Sequence, residues 1–372
     1  MKKIFLLIMI LPLLAHSQQA YTVSNVAGMT ANFRTLQGAI DSVAAGSTLY
    51  LFPSTVDYGN VNINKKLFII GTGYMLDQNT TPFMAPTATG VMISSIYFMP
   101  GSSDSYIQGV AMNGVTTGVR YYRFFLDSVS NITINRCLVE IWGAFPNGNY
   151  LFITKNTNNC TISQCYITET NLEFFNHSGG ETFIEEGTGS QNLQFNNNLF
   201  DNRGNGPGFT FNHNVNPTNY GNIIFNHNTF QGDLGSSSFC NYTFFNNFFV
   251  SNANNSGISS SLGLNGVTSS NISNRSGIFP ANSFNLLVPN LDGVFQYSAF
   301  GYHSFEQKWQ VYDTSFAKHA ANDGGEVGSF GGANPYVFSG IPPLPEIYNL
   351  SAVPDPKNRG RVLVHLKAKA SY

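Results

Sequence analysis

Charged side chains are scarce in this chain. Only 10% of the 372 residues are Asp, Glu, Lys or Arg, with 18 basic and 20 acidic groups and a formal net charge of −2. The basic groups gather near the C-terminus, so that residues 18–350 carry a net charge of −8. A body of this sign offers no electrostatic footprint for nucleic acid. We therefore expect no nucleic-acid partner.

Long apolar runs are equally few. The longest extends from Ile4 to Leu14, follows Lys2 and Lys3, and is succeeded by small residues before Gln18. This pattern predicts a secretion signal over residues 1–17 that is cleaved on export. No later stretch reaches the roughly 18 apolar residues that a membrane helix needs. We expect an exported protein, secreted or held at the cell surface, with no membrane span.

A nine-residue unit fills the middle of the chain. Positions 2 and 4 are mostly apolar, positions 5 to 7 polar, and positions 8 and 9 mostly apolar, which reads as strand, turn, strand. Five clear copies start 28, 33, 30 and 19 residues apart: Asn131–Val139, Asn159–Ile167, Asn192–Phe200, Asn222–Phe230 and Asn241–Phe249. A weaker copy covers 271–279. Such a period is typical of a solenoid whose coils stack in parallel.

Stacked coils place equivalent residues in columns. At position 7 the column reads Cys137, Cys165, Asn198, Asn228, Asn247 and Gly277. An Asn side chain has both a donor and an acceptor, so each amide can bond the next coil, and we predict a structural asparagine ladder. Many Phe residues fall at positions 4, 8 and 9, which we assign to the core.

Cysteine is rare, with four residues and no pair at the spacing of a metal site. Cys137 and Cys165 share a column one coil apart. They could form a disulfide or stack as free thiols, and both alternatives stay open.

The regions flanking the repeats predict the rest of the architecture. Phe33, Leu36, Ile40 and Val43 share one helical face, so residues 33–45 predict a short amphipathic helix that caps the N-terminal end. Short β-rich runs between Thr48 and Ile70 read as the first coils. We predict a β-helix domain over residues 18–340 and a Pro-containing β tail over residues 341–372 that covers the last coil.

Several of these segments resemble a known family. Residues 35–41, 45–50, 58–63 and 67–71 are similar to the opening of right-handed parallel β-helix proteins of the pectate lyase and pectinesterase superfamily. Residues 323–332, Asp-Gly-Gly-Glu-Val-Gly-Ser-Phe-Gly-Gly, are similar to a segment that closes many secreted bacterial members. The resemblance implies an all-β, single-stranded right-handed parallel β-helix. It implies less about activity, because the superfamily includes lyases, hydrolases, esterases and adhesins.

The signatures of two activities are missing. Hydrolases of this family carry Asn-Thr-Asp, Asp-Asp and Gly-His-Gly motifs, and pectinesterases an Asp-Phe-Ile-Phe-Gly strand, none of which occurs here. A β-eliminating lyase needs a cation, often calcium, beside the uronate carboxylate and a base for the α-proton.

The acidic residues that could serve such chemistry are concentrated in the longest coil. They are Glu169, Glu173, Glu181, Glu185, Glu186 and Asp201, with Arg203 beside them. His177 and His213 occur in Phe-Asn-His triplets near this coil, and His227 of a third triplet occupies position 6, at a turn. Trp142 lies in a loop where exposed rings could stack on sugars. For the acidic residues the alternative is a solvated loop without a ligand. For the histidines the alternative is a structural role as hydrogen-bond donors in the turns.

We therefore predict a carbohydrate-interacting β-helix protein, a lyase-like enzyme on uronate-containing glycans being the sharper hypothesis. The alternative is a non-catalytic structural or adhesive surface solenoid. The partner would be a polysaccharide or cell-surface glycan, with no cofactor unless calcium binds, and the protein a monomer. The candidate ligand-binding residues are His177, Glu181, Glu185, Glu186, Arg203, His213 and Trp142.

Overall fold

The computed structural model describes residues 19–76, 78, 90–112, 121–142, 149–170, 182–186, 190–202, 209–213, 223–232, 234–236, 242–250, 267–276, 279, 284–296, 304–343, 346–354 and 361–369. Its one α-helix in these residues, α1, spans Leu36–Ser42, and short 3₁₀ helices span Gln307–Trp309, Phe316–His319 and Phe338–Gly340. None of these helices is long and apolar enough to cross a membrane.

Strands make up most of the described chain. In chain order they are β1 (Ala20–Val23), β2 (Thr48–Leu51), β3 (Asn60–Ile63), β4 (Phe68–Ile70), β5 (Ser95–Phe98), β6 (Tyr106–Gln108), β7 (Ala111–Met112), β8 (Tyr121–Asp127), β9 (Thr133–Asn135), β10 (Leu138–Trp142), β11 (Asn149–Lys155), β12 (Thr161–Ser163), β13 (Tyr166–Thr170), β14 (Thr182–Glu186), β15 (Leu193–Asn196), β16 (Leu199–Asn202), β17 (Phe209–His213), β18 (Ile223–Asn226), β19 (Thr229–Gln231), β20 (Leu234–Ser236), β21 (Tyr242–Phe245), β22 (Phe248–Val250), β23 (Val267–Ser273), β24 (Phe284–Leu287), β25 (Glu346–Pro354) and β26 (Val362–Lys369).

The strands form three faces of a solenoid, and neighbouring strands within each face run parallel. The first face is a seven-stranded sheet, β3-β5-β8-β11-β14-β17-β20. The second face pairs β1, β2, β4, β6, β9, β12, β15, β18 and β21 in turn, and the third pairs β7, β10, β13, β16, β19 and β22. Strand β23 pairs with both of these faces, and β24 follows it. The predicted parallel β-helix is therefore confirmed.

The helix α1 is shorter than predicted but lies where the sequence placed it. The Thr35 hydroxyl accepts a hydrogen bond from the Gly38 N–H and so caps its first turn. Leu36, Ala39 and Ile40 are fully buried in the main core. Their burial fixes the helix against the first coils.

Stacked aromatic rings fill the core. At position 4, Phe195, Phe225 and Phe244 stack with ring centroids 4.9 and 4.8 Å apart. At position 9, Phe230 lies between Phe200 and Phe249, at 4.4 and 4.9 Å. Near-parallel stacking at this spacing follows from the separation of about 4.8 Å between neighbouring parallel strands.

The assignment of position 8 to this core is wrong. Side chains alternate along a strand, so position 8 points outward when position 9 points inward. Leu138, Tyr166, Leu199 and Phe248 are buried because a second layer covers the third face. This layer, the cover segment, comprises residues 288–296 and 304–343, and its apolar contacts come from Leu291, Phe295, Trp309, Val311, Val327 and Tyr336.

Position 7 carries hydrogen-bonded amides. The Asn228 Oδ1 accepts from the backbone N–H and the Nδ2 of Asn198, at 2.9 and 3.0 Å, and Asn247 accepts likewise from Asn228. The series continues to Asn271 and then Asn285, so Asn271 stands at position 7. The weak sixth copy was thus placed in the wrong register, because its Asn-Ile opening mimics position 1 whereas Ile272 pairs with Phe248 at position 8.

The cysteines in this column are free, buried thiols. The backbone N–H of Cys137 donates to the Cys165 Sγ at 3.4 Å, which takes the acceptor role that an Asn Oδ1 has in later coils. Burial raises the pKa of Cys160 to about 11 and that of Cys165 well above its ordinary value. Cys165, and Cys160 at position 2 of the same coil, therefore stay protonated and unreactive at neutral pH.

The C-terminal strands β25 and β26 form an antiparallel hairpin. Among the described residues they pair with no solenoid strand, and the side chains of 352–354 and 361–367 are exposed. The prediction that this tail covers the last coil is therefore wrong for the described residues. The domain boundary at residue 340 and the signal over residues 1–17, which lies outside the described residues, stay predictions.

Candidate functional site

Position 6 is the bend of each coil. Arg136, Gln164, Asn197, His227, Asn246 and Ser270 all have φ between 49° and 57° there. A left-handed residue turns the chain sharply from the second face to the third, and polar residues, Asn above all, tolerate this conformation best. All of these side chains except that of Ser270 contact the cover segment, on the outside of the coils.

The last part of the cover segment runs back along this column. We call residues 322–342 the strap. The Asn246 side chain exchanges two hydrogen bonds of 2.9 Å with Asn322, and the Asn197 Nδ2 donates to the carbonyls of Ser329 and Gly331 at 3.0 and 2.7 Å. These bonds hold the strap to the coils near the C-terminal end of the solenoid.

In the coils nearer the N-terminus, position 6 residues bind the second half of the strap. The Gln164 Nε2 donates to the carbonyl of Asn334 at 3.2 Å and to that of Pro335, and the Arg136 Nη1 donates to Ile341 at 2.8 Å. Each successive coil toward the N-terminus therefore contacts a later residue of the strap. The strap crosses the bends in the direction opposite to coil growth.

A groove of about 540 Å³ lies between the strap and the open second face. Its floor consists of outward, half-buried polar side chains at positions 3 and 5 of successive coils: Thr133, Asn135, Thr161, Ser163, Asn196 and Asn226. Its wall consists of bend residues and strap residues: Arg136, Gln164, Asn197, His227, Asp323, Gly332, Ala333 and Asn334. Together with Tyr106, the floor residues lie on five neighbouring strands. Four steps of about 4.8 Å separate these strands, so the floor is about 19 Å long.

Hydrogen bonds fix the end of the groove nearer the N-terminus. The Arg136 Nε donates to the Gln164 Oε1 at 2.9 Å, and the Asn135 Nδ2 donates to the same oxygen at 3.0 Å. The Tyr106 hydroxyl lies 3.2 Å from the Asn135 Oδ1, and burial raises the pKa of Tyr106 to about 12. This end therefore presents a protonated phenol and a guanidinium.

His227 and Asp323 form the other end. The His227 Nε2 lies 3.3 Å from an Asp323 carboxylate oxygen and 3.2 Å from the Asn246 Nδ2. The His227 side chain is 3% exposed, whereas the Asp323 side chain is 45% exposed. Burial lowers the pKa of His227, an effect that Asp323 and the carbonyls of Glu326 and Gly328 partly offset. The ring is therefore neutral at neutral pH.

Two strap glycines allow this contact. A Cβ on Gly331 would lie 2.7 Å from the His227 Nδ1 and 1.7 Å from the Glu326 carbonyl oxygen. A Cβ on Gly332, whose φ is +70°, would lie 2.9 Å from the His227 ring. Only glycine lets the strap pass so close over the imidazole.

The groove chemistry favours binding over hydrolysis. Asp323 is the one carboxylate among its described lining residues, whereas hydrolysis of a glycosidic bond needs two. Arg136 and His227 stand three coils apart, about 14 Å, which is too far for one acid–base pair. Within the described part of the chain, no three His, Cys, Asp or Glu side chains are grouped to hold a metal ion.

The predicted site residues lie elsewhere. Glu185 and Glu186 end strand β14, and His213 ends the neighbouring β17, where it is the backbone partner of Glu186. Trp142 ends β10 on the third face, as the backbone partner of Thr170. His177, Glu181 and Arg203 lie outside the described residues. The first face thus brings Glu186 and His213 side by side in the backbone, away from Trp142.

Asp201 belongs to the acidic cluster predicted from sequence, but its role is structural. It is fully buried, accepts a hydrogen bond from the Tyr166 hydroxyl at 2.5 Å and lies 3.3 Å from the Lys308 Nζ of the cover segment. The groove residues Arg136, Gln164 and Asp323 were not identified from sequence, and His227 was recognised only as a turn residue. The variety of position 6 and the Asp-Gly-Gly motif were the available signals.

Comparison with known proteins gives similarity at the level of the fold. No family model and no curated protein match the chain. Among solved structures, it is similar to a rhamnogalacturonan lyase, with a TM-score of 0.40 and 13% identity over 74% of this chain and 88% of that one. It is also similar to the pectate lyase Pel9A, with a TM-score of 0.37 and 11% identity over 84% and 96% of the two chains.

A pectin methylesterase in complex with a hexasaccharide has a TM-score of 0.32 and 9% identity, over 81% of this chain and 100% of that one. The strand pairing described above shows on its own that the chain forms a parallel β-helix.

Proposed function

We propose that this protein binds a glycan chain in the groove beside the strap. The observation that carries the proposal is the floor of the groove, where hydroxyl and amide side chains from consecutive coils point outward in register. Such an array offers donors and acceptors at a regular spacing along an elongated ligand. A polyhydroxylated chain can use many of them at once, and no apolar ligand can.

The charge of the groove suits a neutral or weakly acidic glycan. Its described lining carries one cation, Arg136, and one exposed carboxylate, Asp323, at opposite ends. A polyuronate would find a single guanidinium, which already donates to Gln164 and Ile341. We therefore rank binding of a neutral glycan above lyase-like cleavage of a uronate-containing one, which remains the sharper enzymatic hypothesis.

Lyase chemistry would draw on the residues predicted from sequence, which are His177, Glu181, Glu185, Glu186, Arg203 and His213, with calcium as the candidate ion. We further propose that the protein is exported and meets its glycan at or beyond the cell surface. The pattern of residues 1–17 supports this part of the proposal.

The test combines binding and cleavage. The protein lacking residues 1–17 is titrated with neutral and uronate-containing polysaccharides, with and without calcium, while unsaturated uronates and reducing ends are followed. We expect saturable binding of a neutral glycan without either product. Thr161→Trp, which fills the middle of the groove, should abolish binding, whereas Asn62→Ala on the first face should leave it unchanged.

Each other result has a definite meaning. A calcium-dependent rise in unsaturated product that Thr161→Trp does not affect would place activity at the predicted residues and overturn the groove as the site. Absence of binding to every polysaccharide would favour the structural or adhesive alternative.

A further inference from the structure

The two ends of the solenoid differ. At the N-terminal end, α1 packs its apolar side chains into the core. At the other end, β24 pairs only with β23 among the described strands. Its Phe284 is 88% exposed, and Leu286 and Leu287 are 45% and 48% exposed. An unpaired edge with exposed apolar side chains is a surface for adding another strand.

The C-terminal hairpin is the second unpartnered surface. On β26, Val362, Val364 and Leu366 are each more than half exposed and lie on one side of the strand, because side chains alternate. Strands β25 and β26 pair only with each other among the described residues. An isolated two-stranded hairpin is marginally stable in water and gains stability by packing against another element.

The strap places the root of the hairpin far from its own open end. The carbonyl of Ile341 accepts from Arg136, and Pro342 lies against Gly109, one coil nearer the N-terminus. From the Gly109 bend to the coil of Asn285 there are seven coil steps, or about 34 Å. The hairpin begins at Glu346, only four residues beyond Pro342. A second copy of the chain can present its open end to the hairpin without this constraint.

Charge selects among the arrangements of two copies. Residues 344–372 carry five basic and two acidic side chains, a net of +3, whereas residues 18–343 carry a net of −7. Two hairpins packed together would bring like charges into contact. A hairpin packed on the body of another copy brings opposite charges together, which favours that encounter.

We propose that the C-terminal hairpin of one copy docks on the open end of the solenoid of a second copy, at Phe284, Leu286 and Leu287. The interface is heterologous, because each copy contributes a different surface, and it can therefore propagate into head-to-tail assemblies. A strand of the hairpin would extend the stack of coils beyond β24. This proposal replaces the monomer that the sequence led us to expect, and it is independent of glycan binding.

The test uses the protein lacking residues 1–17, in a concentration series followed by size-exclusion chromatography with light scattering. We expect a mass that rises with protein concentration and falls with added salt. Val364→Asp and Phe284→Ser should each weaken association at least about tenfold, because each removes apolar burial at the interface. Both side chains are exposed, so neither change alters the core, and Val56→Ser serves as the exposed apolar control.

Mixing the two variants separates a heterologous interface from a symmetric one. The Phe284→Ser chain keeps an intact hairpin, and the Val364→Asp chain keeps an intact open end. An equimolar mixture should therefore form dimers that grow no further, whereas each variant alone stays monomeric. A wild-type mass of one chain at all concentrations would overturn the proposal. So would a mixture that stays monomeric, or a Val56→Ser variant that loses association equally.

Discussion

Positions 6 and 7 are neighbours at the same bend, yet their side chains have opposite partners. At position 7, Asn198, Asn228 and Asn247 are fully buried and bond one another along the solenoid axis. At position 6, Asn197 and Asn246 bond the strap instead. The left-handed conformation of position 6 turns its side chain outward while the next residue points inward.

This difference separates stability from recognition. The position 7 column repeats one interaction, so the same residue type serves in every coil where the ladder runs. The position 6 column meets a different part of the strap in each coil, and its residue types vary from Arg136 to His227. Those varied side chains line the groove, which places the candidate binding residues one position away from the structural ones.

Removing an amide from the position 7 column should have the largest effect on stability. In Asn228→Ala, the N–H and Nδ2 of Asn198 lose their acceptor, and the carbonyl of Phe195 loses a donor at 2.8 Å. Because buried unsatisfied groups cost about 1–3 kcal/mol each, the free energy of unfolding should fall by about 3–5 kcal/mol. Urea denaturation followed by circular dichroism measures this change.

The matched control is Asn196→Ala, two positions before the ladder residue in its own coil. Its half-buried side chain makes only a long bond of 3.4 Å to Gln194 among the hydrogen bonds of its described surroundings. We expect a loss of about 0.5 kcal/mol or less. Equal losses for the two variants would show that the ladder contributes no more than any turn amide.

Removing a side chain from the position 6 column should have a smaller effect on stability, confined to the strap. Asn197→Gly keeps the left-handed bend, whose φ is 57°, but removes the bonds to Ser329 and Gly331. Two neutral hydrogen bonds contribute about 2 kcal/mol. The strap should become the first site of proteolytic cleavage, which mass spectrometry of early fragments will locate.

Asn131→Gly is the control for the backbone change. Asn131 is also left-handed, with φ of 58°, but it is exposed and bonds Asp104, not the strap. Its strap should stay as resistant to protease as that of the wild type. If Asn131→Gly exposes residues 322–342 equally, the protection of the strap does not come from position 6.

The contrast between the columns also explains what the sequence could predict. The unit that contains Asn198 and Phe200 repeats locally, so strands, inward rings and the parallel stack follow from its period. The strap does not repeat: Gln164 meets Pro335 across 171 residues, and only folding brings them together. Position 8 was misassigned for the same reason, since the apolar partner of Phe248 is the distant Phe295.

The smallest effect concerns the proton on His227. Burial holds its pKa in the folded protein below the ordinary value of 6.5, whereas the unfolded chain has that ordinary value. Between these two values the unfolded state binds a proton that the folded state does not. Folding stability should therefore fall as pH drops below about 6.5, and level off below the pKa of the folded state.

The variant His227→Asn isolates this contribution, because Asn occupies the same bend in the adjacent coils as Asn197 and Asn246. Burial raises the pKa of Glu326 in the strap, so this group contributes the opposite pH dependence of stability. It is present in both proteins and cancels in their difference. The difference in unfolding free energy between wild type and variant should therefore decrease from pH 7 toward pH 5. A difference that is flat with pH would mean that the imidazole is equally free to take a proton in both states, and that the strap does not desolvate it.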